Sequence, residues 1–178
     1  PRHDALPIYA GTIMGAVSTA NEADWHLLRD TAIQTGQVAG PDDCALTLRG
    51  IRTLPVRQER QSQSAIDVAL WLQSRAEVSR VLHPALPSCP GHEFWKRDFS
   101  GASSLFGVVL RPDFTLPQMQ HMIDSLQMFG IGASWGGYES LILPTTRGIT
   151  RSCDSVTQAG PTFRIHIGLE DTHDLIAD

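Results

Sequence analysis

Arg164 stands in the stretch Phe163-Arg164-Ile165-His166-Ile167, where apolar and polar residues alternate. A period of two describes a strand with one face buried and the other polar. On that pattern Arg164 is either a solvated charge or a carboxylate clamp. The clamp is chemically natural, because a guanidinium is a planar fork that grips a carboxylate through two parallel hydrogen bonds. Upstream lies Ser134-Trp135-Gly136-Gly137. The glycines serve a turn, since they reach positive φ without steric cost. A Ser and a bulky indole in front of them exceed what a turn requires, and that surplus points to a binding site.

Other chemistry is less well supported. There are seven histidines, and His83 and His92 flank a loop containing Cys89 and Glu93. Their spacing matches none of the close-paired zinc patterns, so no metal site is expected. No glycine-rich loop carries a P-loop lysine. Lys96 is the only lysine in the chain and, between aromatic residues, reads as a surface group. Cys44, Cys89 and Cys153 form no close pair, which suits reduced thiols and a cytoplasmic setting. The net charge of −5 argues against a nucleic-acid partner. No apolar run approaches the roughly 20 residues of a membrane span, and no secretory signal is visible.

The elements that must position these residues read as a mixed α/β arrangement. Residues 11–17 are small and apolar, consistent with a buried strand. Residues 22–35 have helical periodicity in Trp25, Leu28 and Ala32, broken by Gly36 and Gly40. Pro41-Asp42-Asp43 starts a long helix running to Arg75, which Pro55 must kink or interrupt. Its later part places Ala65, Val68, Ala69 and Leu72 on one face, widened by Ile66 and Leu70. Residues 78–83 and 104–110 are strand candidates, and the Pro-, Gly- and Ser-rich segment between them, from His83 to Trp95, reads as loop. Residues 115–129 form an amphipathic helix with Thr115 as cap and Pro117 in its first turn. Residues 144–160 read as irregular loop, followed by the Arg164 strand and a helix begun at Glu170-Asp171.

Several stretches together resemble one family: LRGIRTLPVR, VLHPALPSCPGHEFWKRDFSGASSLFGVVL, SWGGYESLILP and FRIHIGLEDTHDLIAD. They are similar to the C-terminal part of the pyridoxal-phosphate-dependent Cys/Met metabolism enzymes, which have the aspartate aminotransferase type of fold. The resemblance covers Gly11 to Asp178. It implies a carbon–sulfur lyase acting on an amino-acid substrate, with pyridoxal 5'-phosphate as cofactor and a homo-oligomer as the assembled form. It implies that Arg164 binds the substrate α-carboxylate with Ser134 and Trp135 beside it. Relatives of the synthase and gamma-cleaving branches typically carry Leu where this chain has Trp135, which favours the beta-cleaving branch. The family's Schiff-base lysine lies just before the strand at residues 11–17, where this chain reads PRHDALPIY; Lys96 matches a non-catalytic position. The implied organisation is a non-native leader at residues 1–9, the end of the cofactor-binding domain at 10–46, and a small C-terminal domain at 47–178. His3 to Ile8 also back-translates to a sequence resembling a sequencing-library adapter, in keeping with a non-native leader.

Overall fold

The structure, a computed structural model, describes residues 14–147 and 160–178. The leader at residues 1–9, and the middle of the loop expected at residues 144–160, lie outside the described residues. Among the described residues five helices and five strands are formed: α1 (Glu22–Thr35), α2 (Pro41–Gln73), β1 (Val78–Leu82), α3 (His92–Asp98), β2 (Leu105–Leu110), α4 (Leu116–Ser125), β3 (Gly130–Ile131), β4 (Leu141–Pro144), β5 (Thr162–His166) and α5 (Thr172–Ala177). The strands make one sheet in the order β1-β2-β5-β4-β3, antiparallel except for the β3–β4 pair. This is the mixed α/β class that the sequence predicts. No helix among the described residues is long and apolar enough to cross a membrane.

Local chemistry explains the helix starts. Asn21 caps α1 by accepting from the Asp24 N–H. Thr115 and Gln118 form a reciprocal capping box at α4, with Pro117 in the first turn. Asp171 caps α5. The helix α2 carries Pro55 within it and continues on both sides. Pro55 has no N–H to give the Ile51 carbonyl. One residue earlier in the ladder, the Gly50 carbonyl is used by side chains: Thr53 Oγ1 at 3.2 Å and Arg57 Nη2 at 3.1 Å.

The core lies where α2, α4 and α5 meet the sheet. Ala65, Val68 and Ala69 of α2 and Met119 and Ile123 of α4 join Phe106, Ile142 and Ile165 in one cluster. Burying such side chains stabilises each by about 1.5–3 kcal/mol relative to exposure. Leu70 does not widen the α2 face as expected; it is exposed, because it lies on the side of the helix turned from this cluster.

Four further expectations are corrected. Residues 14–17 pair with no described strand, since every strand of the sheet comes from residue 78 onward. The segment expected as loop contains α3, which starts at Gly91 with φ of 81° and gains a favourable end from Lys96 and Arg97 in its last turn. The helix α4 stops at Ser125, before Phe129. The Gln127 and Met128 N–H groups are taken by the Asp178 carboxylate at 2.8 and 3.0 Å, which draws the chain out of the helix. The Arg164 strand is buried on both faces, because His166 is as buried as its apolar neighbours.

Candidate active site

The strand β5 is central, so Arg164 is fixed by ladders on both sides. Its register partners are Gly107 of β2 and Leu143 of β4. The guanidinium is half-buried, and loss of hydration holds its pKa below the ordinary arginine value. Nη2 donates to the Ala133 carbonyl at 2.6 Å and to the Ser134 carbonyl at 3.4 Å. These two contacts set Arg164 against the segment leading into the Ser134-Trp135 turn. Among the described residues no carboxylate lies within ion-pair distance of Arg164, and its Nε and Nη1 donors have no partner. A partly dehydrated cation in that state has an unmet demand for an anion.

The turn is fastened from two sides. Gly136 has φ of 84°, a conformation that favours glycine, and both Gly136 and Gly137 are buried. From α2, Arg57 Nη1 donates to the Gly136 carbonyl at 2.8 Å, and Gln61 Nε2 donates to the Gly137 carbonyl. From β5, His166 Nε2 accepts the Gly136 N–H at 3.1 Å, and His166 Nδ1 lies 2.8 Å from Ser104 Oγ. In the tautomer whose Nε2 accepts from Gly136, the imidazole proton lies on Nδ1 toward Ser104; Nε2 also lies 3.4 Å from the Gly137 carbonyl. Burial lowers the His166 pKa, favouring this neutral form.

Beyond the turn, Glu170 accepts from both the N–H and the Oγ of Ser140, each at 2.8 Å. Ser140 Oγ in turn accepts the Gly168 N–H at 2.9 Å. A cavity of about 20 Å³ adjoins Trp135, bordered by Leu54, Gln58, Gln61 and Ser104. Trp135 itself is half-buried. Sequence reasoning missed Arg57, Gln61, His166 and Glu170. The last two stand in the FRIHIGLED stretch already singled out and Arg57 ends the stretch LRGIRTLPVR, whereas Gln61, one helical turn on, lies in no such stretch.

A larger groove lies between the middle of α2 and residues 84–103, walled by Val56, Phe94, Trp95 and Phe99. Lys96 lies exposed on the same helix as Phe94 and Trp95. Among the described residues no group of three or more His, Cys, Asp or Glu side chains is gathered for a metal.

Among the described residues, a mixed α/β sheet holds a half-buried arginine with no carboxylate partner against a glycine turn. The chain belongs to the Cys/Met metabolism PLP-dependent enzyme family, whose sequence model matches residues 9–178. It is 43% identical over 168 residues to the cystathionine beta-lyase of Escherichia coli, covering 93% of this chain and 42% of that one. It is 40% identical over 171 residues to an L-alanine/L-glutamate racemase of Wolbachia pipientis, covering 96% and 42%. The crystal structure of cystathionine gamma synthase from Xanthomonas oryzae pv. oryzae, in complex with aminoacrylate and cysteine, superimposes with a TM-score of 0.87 at 28% identity, covering 98% and 46%. The chain therefore spans less than half the length of the relatives it matches, and its family is pyridoxal-phosphate-dependent.

Proposed function

We propose that this chain supplies the substrate-carboxylate side of the active site of a cystathionine beta-lyase, which converts cystathionine and water to homocysteine, pyruvate and ammonia. One observation carries the reading: Arg164 is a half-buried cation with unspent N–H donors and no carboxylate partner among the described residues. An α-carboxylate completes it, with Ser134 and Trp135 bordering the same space. Two fixed contacts on one carboxylate orient the Cα–H bond for removal of its proton, and orientation of this kind contributes several kcal/mol to rate. Pyridoxal phosphate, when bound, supplies an electron sink conjugated to the substrate nitrogen.

The residues present fit the substrate end of that arrangement and not the end that anchors the cofactor. Lys96, the sole lysine, is exposed on α3. In this reading residues 10–46 end the cofactor-binding domain and residues 47–178 form the small domain. The Schiff-base amine and the phosphate contacts come from outside these residues, and the whole protein assembles as a homo-oligomer. Trp135, where the synthase and gamma-cleaving branches typically carry Leu, supports the beta-cleaving activity.

Purified alone and mixed with pyridoxal phosphate and cystathionine, the 178-residue chain is expected to release no pyruvate and to keep no cofactor absorbance after dialysis. A full-length protein carrying these residues is expected to release pyruvate from cystathionine. Pyruvate release by the chain alone, or unimpaired cystathionine cleavage by the full-length protein with Arg164→Ala, overturns the reading.

A further inference from the structure

We propose that Arg57 is a positioning residue: acting through the Gly136 carbonyl, and assisted by Gln61, it sets the Ser134-Trp135 segment against Arg164. The inference rests on the carboxylate reading above but makes its own claim about α2.

Carbonyl directions carry the argument. The carbonyls of Ala133 and Ser134 turn toward Arg164. Those of Gly136 and Gly137 turn toward α2, the latter also lying 3.4 Å from His166 Nε2. The peptide orientation therefore changes across Trp135, and each side of the change is held by a different guanidinium. Buried backbone carbonyls demand donors. The Gly136 N–H cannot meet that demand, because it is already committed to His166. Donors from α2 hold the second half. Residues four apart on a helix lie on one face, which lets Arg57 and Gln61 reach successive carbonyls.

Arg57 is suited to this by its own anchoring. Its side chain is buried, Nη2 donates to the Gly50 carbonyl at 3.1 Å, and Nε donates to Thr53 Oγ1 at 3.3 Å. The guanidinium is thus bonded to its own helix just beside Pro55 before it reaches across to the turn. A lysine keeps the charge but cannot span the Gly50 and Gly136 carbonyls with one planar fork. Charge and geometry are therefore separable by substitution.

The test uses the full 178-residue chain labelled with nitrogen-15, with sodium acetate as the carboxylate probe. In the unsubstituted chain, acetate is expected to shift the Arg164 side-chain N–H signal. In Arg57→Ala and Arg57→Lys, the Trp135 and Gly136 amide signals are expected to move before acetate is added, and acetate affinity to fall about fivefold in both, the scale of one lost hydrogen bond. Gln61→Met, which removes only a neutral donor, is expected to move the Gly137 and Trp135 signals and keeps the test decisive should Arg57→Ala fail to fold. Unmoved turn signals in the folded variants overturn the proposal. Full acetate affinity in Arg57→Lys with loss in Arg57→Ala also overturns it, because Arg57 would then act through charge. No Arg164 response to acetate in the unsubstituted chain, with turn signals still moved by the variants, overturns the carboxylate reading while upholding the positioning of the turn.

Discussion

Gly136 gives its N–H to Nε2 of His166, so a neutral imidazole on the central strand serves as acceptor for the turn beside Arg164. This bond requires an unprotonated Nε2. Protonated, Nε2 would face the Gly136 N–H as a second donor.

This relationship has a pH consequence. Burial depresses the pKa of His166, and also of His83, below the ordinary 6.5. Between the folded and ordinary values the unfolded chain binds more protons than the folded one, so stability rises with pH through that window. It is at its full value above the ordinary value and declines as pH falls below it. Melting temperatures measured between about pH 8 and about pH 5 should fall on acidification, and His166→Asn, which retains an acceptor, should flatten the slope. An unchanged slope in that variant contradicts the assignment. The groups around the imidazole include Arg164, which disfavours its charge, and Glu170, which favours it.

Arg164→Ala tests the clamp. In a full-length protein, kcat/KM for cystathionine should drop about 10²- to 10³-fold, matching the roughly 2–5 kcal/mol lost when one member of a hydrogen-bonded charge pair is removed. The melting temperature of the chain should not fall in proportion, because the guanidinium bonds only backbone carbonyls among the described residues. Steady-state kinetics beside a thermal melt separates the two effects.

Trp135→Leu bears on selectivity. The indole is half-buried beside a small cavity and belongs to none of the hydrophobic core residues. The variant should stay folded while its preference between cystathionine and other sulfur amino acids shifts roughly tenfold. Competition assays in the full-length protein read this directly; an unaltered preference removes Trp135 from the selectivity argument.

Gly168→Ala should be among the most damaging small substitutions. A Cβ there would run into the backbone of Tyr138 and Glu139 and into the Glu170 carboxylate. Backbone cannot yield as a flexible side chain does, so a cost of about 1–3 kcal/mol or more is expected. A shift of the urea midpoint measures it. Gly101→Ala, with open space around the added methyl, is the matched control.

Period and capping chemistry made much of this fold legible. The alternation at Phe163, Ile165 and Ile167 located β5, and Thr115 with Pro117 located the start of α4. The reach of Asp178 to Gln127 and Met128 was invisible, because it joins residues far apart in sequence. In the site, the Ser134-Trp135 turn could be found because its indole departs from the local pattern; Arg164 fits its strand's alternation, and the family resemblance is what singled it out. Arg57 and Gln61 could not be found by pattern. They occupy the buried face of α2 as polar residues, so they weaken the hydrophobic period that reveals a helix face. Their partners are carbonyls, and every residue carries one, so side-chain identity gives no hint of the pairing. His166 was hidden differently: alternation placed it on the polar face, whereas Ser104 and the turn satisfy it in the interior.

The place of β5 between two antiparallel neighbours bears on how such a site can diversify. Moving Arg164 along its strand would disrupt pairing with both β2 and β4, so the charged contact is an anchored reference point. The turn facing it is held by side chains from α2 and β5, which can be exchanged one at a time. Where Arg164 holds the substrate carboxylate as proposed, new substrate preferences are open to single substitutions in the turn and its α2 supports, while recognition of the group common to all amino acids stays where the sheet has put it.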